Sequence, residues 1–308
     1  MSGPGNASSH DFTLVRLKIA GHRAPEVGFE MTAIYRGMDR AALDAAYDNT
    51  DAVADSQAYR ARWWEASALI RAEPESRLNL RYGLRPRATL DYFSSGATHA
   101  PLFVFIHGGY WQRNEKERFS FIAPGPRSRG INVAVPGYTL APEARLTEIV
   151  AEIRQALTFL ADRADELMFD PNNIYTGGWS AGGHLAALVA DHPAVRGAIP
   201  ISGIFDLEPI ALGVLNDQLR LTTSEVARLS PLRNLPERSP PVRLFVGAAE
   251  LPELKRQSED YAKGARGRGL PVTLTTLSGH HHFSILDELA RPDGALTDAL
   301  LDLIKTAK

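Results

Sequence analysis

The sequence contains no cysteine among its 308 residues. This absence excludes disulfide bonds, thiolate-ligated metal sites and a cysteine nucleophile. Excess charge of one sign is also lacking, with 34 Lys and Arg against 36 Asp and Glu and a formal net charge of −2. Nucleic acids and anionic membrane surfaces usually attract a marked excess of positive charge. We therefore expect a small-molecule substrate that is not a polyanion, with no nucleic-acid partner and no membrane partner.

Long apolar runs are absent as well. No run approaches the roughly 20 residues that span a bilayer. Residues 1–10 are rich in Ser, Gly and Asn and lack the basic and apolar regions of a signal peptide. We expect a cytoplasmic protein in which residues 1–10 form a flexible leader and residues 1–308 form a single domain. Composition does not determine the oligomeric state, and both a monomer and a homodimer are compatible with it.

Two helices are expected as an N-terminal extension ahead of the main fold. Asp39 is a suitable N-cap for the first of them. The second covers about 57–72, where apolar residues recur at helical spacing. It contains Trp63 and Trp64, which we interpret as packing residues because tryptophan is largely buried on average.

From residue 88 onwards, predicted strands alternate with amphipathic helices, the clearest of which covers about 143–161. Several strands are continuous apolar runs, which is typical of central strands covered on both faces. This alternation predicts an α/β fold with a doubly wound, mostly parallel sheet. The segment 203–241 interrupts it, is rich in Pro and Leu, and is interpreted as a small cap. The predicted strands are 89–93, 102–107, 131–136, 173–177, 195–202, 242–247 and 272–277.

The strongest motif is a G-x-S-x-G pentapeptide at 178–182, between the predicted strand 173–177 and a predicted helix over 181–190. A nucleophile elbow requires this strand–turn–helix context. The glycines allow a sharp turn that exposes the hydroxyl of Ser180, and the helix N-terminus favours negative charge that develops there. We predict Ser180 as the nucleophile of an acyl-transfer reaction.

A second glycine-rich motif, His-Gly-Gly-Tyr-Trp at 107–111, follows the apolar strand. Acyl transfer needs backbone N–H groups aimed at the tetrahedral oxyanion, and loops of this type supply them in esterases. We predict Gly108 and Gly109 as oxyanion-hole donors, together with the N–H of Ala181. His107 is interpreted as a residue that braces the loop.

Three aromatic residues flank these two motifs. Tyr110 and Trp111 follow the glycine pair, and Trp179 precedes the predicted nucleophile. We predict that they line the substrate pocket, where an aromatic wall suits an aryl substrate. Plain packing in the core is the alternative.

Three consecutive histidines at 280–282 follow the last predicted strand. Adjacent positions on a loop do not readily converge on one ion, and no carboxylate is spaced to help, so we expect no metal site. In this fold the triad base comes after the last strand. We predict His282 as the base, because Phe283 begins an apolar helix that could anchor the loop, while His280 and His281 face solvent or support it.

The triad acid should follow the preceding strand, in the order Ser, acid, His. Two carboxylates lie there, Glu250 at the end of the predicted strand 242–247 and Glu253 three residues further on. Glu253 falls in the first turn of the next helix, where an acidic side chain favours the helix dipole. We therefore favour Glu250 and keep Glu253 as the alternative.

The pentapeptide with its extension, G-W-S-A-G-G-H at 178–184, and H-G-G-Y-W at 107–111 together resemble the arylformamidase (kynurenine formamidase) branch of the α/β hydrolases. This branch is related to the hormone-sensitive-lipase-type esterases. The resemblance runs from about residue 82 to the end of the chain. The segment 43–49 is also similar to the N-terminal part of bacterial members, where it would reach the mouth of the active site.

The resemblance implies an α/β-hydrolase fold and a triad of Ser180, Glu250 and His282 that works without a cofactor. It also implies cleavage of a small aryl amide or formamide, such as N-formylkynurenine, or of a short-acyl ester. A general short-chain carboxylesterase is the alternative, and a non-catalytic ligand-binding protein on a hydrolase scaffold is a further one. The sequence departs from the family at Glu250, where Asp is frequent, and at Trp179, where His is common.

Overall fold

The computed structural model describes Met1 and residues 32–307. Residues 33–307 belong to one compact unit, which contains all the helices and strands given below. The predicted leader lies outside the described residues except for Met1, and the single domain over 1–308 stays a prediction. No helix in the described part of the chain is both long and apolar enough to cross a membrane.

Eight strands form one sheet at the centre of this unit. In chain order they are β1 (Arg77–Arg81), β2 (Thr89–Phe93), β3 (Ala100–Ile106), β4 (Asn132–Pro136), β5 (Phe169–Trp179), β6 (Val195–Ile201), β7 (Val242–Gly247) and β8 (Val272–Leu277). Their order across the sheet is β1-β2-β4-β3-β5-β6-β7-β8. β2 runs antiparallel to β1 and β4, and all other neighbours run parallel. This confirms the predicted mostly parallel sheet.

All seven predicted strands are present, and β2, β7 and β8 have the predicted bounds. β5 begins four residues earlier than predicted, at Phe169. β1 was not predicted from the sequence. It is a short edge strand that pairs only with β2, and its residues Arg-Leu-Asn-Leu-Arg are half-buried or exposed. Such a strand lacks the apolar run that marks the buried ones.

Helices cover the sheet and form the N-terminal extension. In chain order they are α1 (Arg40–Ala46), α2 (Ser56–Arg71), α3 (Pro124–Ser128), α4 (Leu146–Asp162), α5 (Ala164–Leu167), α6 (Ala181–Leu188), α7 (Glu208–Leu212), α8 (Asn216–Leu219), α9 (Thr223–Leu229), α10 (Pro252–Gly267), α11 (Asp287–Ala290) and α12 (Ala295–Thr306), with 3-10 helices at Lys116–Ile122 and Ser284–Leu286. Asp39 accepts a hydrogen bond of 2.9 Å from the amide of Ala42, which confirms the predicted N-cap of α1. The segment interpreted as a cap, 203–241, contains α7, α8 and α9.

Helix α2 is anchored by an aromatic cluster behind the two glycine-rich motifs. Trp63 is 1% exposed, stacks on Phe121 with ring centroids 5.0 Å apart, and meets the edge of Trp179 at 5.5 Å. The packing interpretation is therefore confirmed for Trp63. It is wrong for Trp64, which is 47% exposed and lies under the guanidinium of Arg118.

A buried ionic cluster joins α2 to β2. Asp91 of β2 is fully buried and pairs with Arg71, the last residue of α2, and with Lys116, the first residue of a 3-10 helix. The Lys116 ammonium lies 2.7 Å from the Asp91 carboxylate and 2.8 Å from the amide oxygen of Asn79. Burial lowers the pKa of Lys116. The cluster therefore holds α2 and the 3-10 helix Lys116–Ile122 against β2.

We expect Asp91→Asn to lower the free energy of unfolding by about 3–5 kcal/mol, because it removes the buried carboxylate that Arg71 and Lys116 share and leaves Lys116 only its pairing with Glu117, at 2.7 Å. The matched control is Asp191→Asn, since Asp191 forms an ion pair of 2.5 Å with Arg154 while remaining 55% exposed. An exposed pair of this kind contributes about 0–1 kcal/mol. Urea unfolding measures both, and equal losses would contradict a structural role for the cluster.

Candidate active site

The turn between β5 and α6 carries Ser180 in a conformation that side chains seldom adopt. Its φ is 59° and its ψ is −120°, and such positive φ values are costly for residues other than glycine. The neighbouring glycines allow the backbone of this turn to lie close to adjacent carbonyl groups. A Cβ at Gly182 would lie 2.0 Å from the carbonyl oxygen of Ile106, and one at Gly178 would lie 2.3 Å from the carbonyl oxygen of Gly182. This geometry matches the predicted elbow.

The loop after β3 runs directly against this turn. A Cβ at Gly108 would lie 2.6 Å from the carbonyl oxygen of Trp179 and 3.0 Å from the Cβ of Ser180. Gly109 has a φ of +122°, and a Cβ there would lie 2.3 Å from the carbonyl oxygen of Arg113. Only glycine can occupy either position without moving the backbone.

Three backbone N–H groups border Ser180. Within the described residues, the amides of Gly108 and Gly109 donate no hydrogen bond. Ala181 is the first residue of α6, so its N–H has no acceptor within the helix. Unpaired donors beside a nucleophile are what the stabilisation of a tetrahedral oxyanion requires.

The end of β7 brings Glu250 against the histidine loop. His282 Nδ1 lies 2.7 Å from Glu250 Oε2. The other carboxylate oxygen accepts hydrogen bonds of 2.5 Å from Ser202 Oγ and 2.8 Å from the amide of Gly247. The carboxyl group is completely buried. Because Nδ1 donates to the carboxylate, Nε2 is the nitrogen that can accept a proton.

Ser180 and His282 line the same small pocket. Within the described residues, Ser180 Oγ forms no hydrogen bond with His282. Catalytic hydrogen bonds of this type are often long in the free protein and shorten when substrate binds. Because both residues line one pocket, a small side-chain adjustment on substrate binding can bring Ser180 Oγ within reach of His282 Nε2.

The alternative acid is engaged elsewhere. Glu253 lies in the first turn of α10, where its carboxylate accepts bonds of 2.8 and 2.7 Å from Arg256. It also accepts a bond of 3.0 Å from the hydroxyl of Tyr47. These contacts lower the pKa of Glu253 against the opposing effect of burial. Glu250, not Glu253, is the carboxylate that contacts a histidine of the loop.

The other two loop histidines have different neighbours. His281 Nδ1 accepts hydrogen bonds from the amides of Phe283 and Ser284, at 3.2 and 3.3 Å. His280 lies 3.6 Å from Glu288. Neither residue lines the pocket that contains Ser180. No group of three potential metal ligands occurs among residues 32–307.

His107 packs against the loop that carries Gly108 and Gly109. It is fully buried, and its Nδ1 donates to the carbonyl oxygen of Gly108 at 2.9 Å. Its ring stacks between Phe119 and Tyr138, with centroids 5.6 and 4.3 Å away. Burial lowers the pKa of His107 to about 4, so the ring stays neutral. The contacts agree with the bracing interpretation.

Two adjoining cavities open around the site. The inner pocket has a volume of about 50 Å³ and contains Ser180 and His282 in its wall. The outer cavity has a volume of about 440 Å³ and lies between the region of α1 and residues of the 203–241 segment. Thr50, Tyr110 and Arg113 line both. A substrate can therefore present a small group to Ser180 while its larger part lies outside.

Two of the three predicted aromatic wall residues line the inner pocket. Trp179 also donates from Nε1 to the carbonyl oxygen of His282 at 2.7 Å. The Tyr110 hydroxyl donates to the carbonyl oxygen of Tyr47 at 2.6 Å and accepts from Asn49 Nδ2 at 2.9 Å. The segment 43–49 thus lies at the mouth of the site, as the family resemblance implied.

The pocket-wall prediction for Trp111 is corrected. Trp111 is completely buried, lies 4.8 Å from the ring of His184 and lines neither cavity. Tyr110 and Trp111 both have positive φ values, 51° and 58°. This tight turn brings Tyr110 to the pocket and Trp111 into the core, a separation that the sequence does not reveal.

Several residues of the site were not identified from the sequence. Ser202 follows β6 and fixes the buried carboxylate. Its position was a usable signal, because the carboxyl ends of neighbouring parallel strands meet at one edge of the sheet. The inner pocket also contains Asn49 and three arginines, for which the sequence offers no signal of proximity: Arg60, Arg113 and Arg118.

Known proteins share both sequence and fold with this chain. The BD-FAE family model matches residues 91–197. Kynurenine formamidase from Danio rerio is 31% identical over 249 residues, which cover 76% of this chain and 84% of the relative. The kynurenine formamidase of Drosophila melanogaster is 30% identical, covering 73% of this chain and 80% of the relative.

Solved structures agree on the fold. A candidate thioesterase from Silicibacter sp. TM1040 is 31% identical with a TM-score of 0.77, covering 84% of this chain and 98% of that one. A thermostable carboxylesterase cloned from a metagenomic library has a TM-score of 0.65 at 21% identity, covering 82% and 97%. These likenesses confirm the predicted α/β-hydrolase fold.

The buried histidines predict how stability depends on pH. Burial lowers the pKa of His107 and of His184 to about 4, from an ordinary value of 6.5. Between these values the unfolded chain binds protons that the folded protein does not. We expect the free energy of unfolding to be highest above pH 6.5 and to fall toward pH 4, by at most about 1.4 kcal/mol per pH unit for each histidine.

Urea unfolding at a series of pH values measures this slope. His184→Gln should reduce the slope, whatever its effect on stability at pH 7, because it removes one titrating group. His99→Gln, at an exposed position, is the control variant. A slope unchanged by His184→Gln would show that this histidine does not supply the pH dependence.

Proposed function

Because this chain belongs to the kynurenine formamidase family, we propose that it removes the formyl group from an aryl formamide such as N-formylkynurenine, with Ser180 as nucleophile. The chain is a hydrolase of formamide or ester substrates, and the finer choice of a formamide rests on one observation. The pocket that contains Ser180 and His282 has a volume of only about 50 Å³, which suits a formyl group better than a longer acyl chain.

The reaction proceeds through a formyl-enzyme. Ser180 Oγ attacks the formyl carbon while His282 Nε2 accepts the hydroxyl proton, and the three N–H groups that border Ser180 stabilise the oxyanion. The C–N bond then breaks, and His282 returns the proton to the nitrogen of the leaving amine. A water molecule that gives its proton to His282 attacks the formyl-enzyme, which releases formate and restores the serine hydroxyl.

Glu250 acts through His282. Its buried carboxylate holds the Nδ1–H tautomer and stabilises the imidazolium that forms when His282 accepts the proton. The hydrogen bonds from Ser202 and the amide of Gly247 hold the carboxylate in place. Glutamate is one carbon longer than the aspartate that is frequent in the family, yet it still reaches the histidine at 2.7 Å.

The outer cavity is the place for the leaving group. Its volume of about 440 Å³ and its apolar residues, which include Leu43, Ile210 and Val214, suit an aromatic ring. Tyr110 lines both cavities and stands where the scissile bond would pass from one to the other. The proposed substrate is therefore small on its acyl side and aromatic on its amine side.

A short-acyl carboxylesterase is the second candidate function. The same triad would cleave an acetyl ester, and the fold is shared with carboxylesterases. The leaving group of an ester is an alcohol, and its departure depends less on protonation of the leaving oxygen than the departure of an amine depends on protonation of its nitrogen. A non-catalytic binding role fits less well, because the nucleophile and the base are both present in one pocket.

The triad assignment predicts a graded series of variants. Ser180→Ala and His282→Ala should each lower kcat by about 10⁴-fold or more, since triad members act as a unit. Glu250→Gln should cost less than His282→Ala because an acid-deficient triad retains residual catalysis. Steady-state kinetics with an aryl formamide, alongside circular dichroism to verify folding, provide the measurement.

The chain offers a nearby control residue for the proposed base and another for the proposed acid. His281→Ala should be much milder than His282→Ala, and Glu253→Gln much milder than Glu250→Gln. If Glu253→Gln were the more damaging of the two acids, the acid assignment would reverse. A folded Ser180→Ala variant with near-native activity would rule out the nucleophile.

The size of the inner pocket predicts selectivity for short acyl groups. For p-nitrophenyl esters from acetate to decanoate, kcat/KM should fall steeply after acetate or propionate, because each extra methylene in a filled pocket costs about 1–3 kcal/mol. Cleavage of an aryl formamide in the same panel should be efficient. A maximum at eight or more carbons would contradict a small acyl pocket, and failure on every formamide would favour the carboxylesterase.

A further inference from the structure

Three arginines surround the inner pocket. Arg60, Arg113 and Arg118 line it together with the nucleophile and the base, and no Asp or Glu is among the described residues of its wall. The protein as a whole carries a formal net charge of −2, so this concentration of positive charge is local. We call these three residues the arginine cluster.

We propose that the arginine cluster binds an anionic group, a carboxylate, on the substrate beside the bond that is cleaved. This inference rests on the proposed function in one respect, since it describes the leaving group of that reaction. It adds a charge requirement that neither the triad nor the size of the pocket demands.

The guanidinium groups of the cluster are poorly satisfied within the protein. Among the described residues, the guanidinium groups of Arg60 and Arg113 form no ion pair and no hydrogen bond, although Arg113 is exposed and Arg60 is half-buried, so solvent can reach both. Arg118 lies over the ring of Trp64 and hydrogen-bonds to Glu115 at 3.4 Å, and its Nε is buried without a partner. In contrast, Arg256 is held by two carboxylates at 2.6–2.7 Å. A buried N–H without an acceptor is costly, and a bound carboxylate would supply the acceptor.

The three positive charges also disfavour one another. Burial lowers the pKa of Arg60, and the charges of Arg118 and Arg113 lower it further, against an opposing effect of Glu115. Like charges that lie near one another repel, and the solvent that reaches Arg113 screens part of this repulsion. A carboxylate held where Arg113 lines both cavities would weaken this repulsion and leave the inner pocket to the formyl group, so the cluster favours an anionic ligand over a neutral one of the same shape.

Acidic side chains lie around the cluster but outside the wall of the inner pocket. Glu115 contacts Arg118, and Glu65 lines an open groove shared with Arg60 and Arg118. On the other side, Asp48 and Asp51 line the outer cavity beside Arg113. The Asp48 carboxylate already accepts hydrogen bonds from the amides of Thr50 and Asp51. Because these acids lie outside the wall of the inner pocket, the charged side chains that line this pocket are the arginines.

Carboxylate is the anion that this arrangement fits. Arginine presents its donors as a planar fork that matches the two oxygens of a carboxylate. The same pocket wall contains Ser180, so the carboxylate must be carried close to the scissile bond. A carboxylate on the aromatic leaving group meets this condition.

The test compares two ligands of nearly the same shape, 3-formamidobenzoate, which carries a carboxylate, and 3-formamidobenzamide, in which a neutral carboxamide replaces it. Calorimetric titration of Ser180→Ala needs no turnover and measures their affinities directly. We expect the carboxylate to bind at least tenfold more tightly than the carboxamide. Raising sodium chloride from 50 to 500 mM should reduce this ratio, because salt screens the attraction.

Variants of the arginine cluster test whether its residues cause the preference for the carboxylate ligand. Adding Arg113→Gln or Arg118→Gln to Ser180→Ala should reduce the affinity ratio to below threefold, and Arg118→Lys should give an intermediate value because it keeps the charge and loses the fork. The matched control is Arg62→Gln, on the same helix as Arg60, since Arg62 pairs with Asp287 at 2.8 Å and does not line the pocket. Thermal unfolding verifies that each variant is folded.

Equal affinities for the two ligands, or no binding of either, would overturn the proposal. So would an affinity ratio that survives both glutamine substitutions. Hydrolysis of the same two ligands by the wild-type protein is measured in a separate experiment. Tight, cluster-dependent binding of the carboxylate without cleavage of either formamide would leave the anion site standing and would refute the formamidase assignment.

Discussion

The active site depends on the close contact between the ends of two neighbouring strands, β3 and β5. Where the chain leaves these strands, their backbones lie so near each other that a single Cβ at Gly182 would come within 2.0 Å of the oxygen of Ile106. This contact is possible only with glycine on both sides. It brings the unpaired amides of one loop to the hydroxyl of the other turn, so the sheet fixes both the proposed oxyanion donors and the proposed nucleophile.

The second half of the site is fixed in the same manner by β6 and β7. Ser202 follows the first of these strands and Glu250 the second, and their 2.5 Å hydrogen bond lies at the carboxyl edge of the sheet. Parallel strands end together at this edge, which is why ligands of open α/β sheets bind there. The sheet thus positions Glu250, the proposed acid, while His282 reaches it from a loop.

The sequence was most informative where local chemistry decides structure. The elbow, the glycine pair and the order of acid and base follow from residue types in a strand–turn–helix context, and β2, β7 and β8 have the predicted bounds. It was least informative where a contact joins distant residues. Nothing local distinguishes Tyr110, which reaches the pocket, from Trp111, which is buried beside His184. The edge strand β1 has no apolar run, and the arginines of the inner pocket come from three separate parts of the chain: α2, the loop after β3 and the 3-10 helix Lys116–Ile122.

The N-terminal extension has a consequence for the way in which the protein must fold. Helix α2 packs Trp63 against Phe283, and Arg62 of the same helix pairs with a residue 225 positions later in the chain. Tyr47 makes a comparable contact over 206 positions. Closing such large loops delays assembly, since their entropy must be lost before the contacts form. During synthesis on the ribosome, the helices that wall the pocket emerge long before the loop that they contact. The site is therefore completed near the end of folding, although the first of its elements is among the earliest to be made.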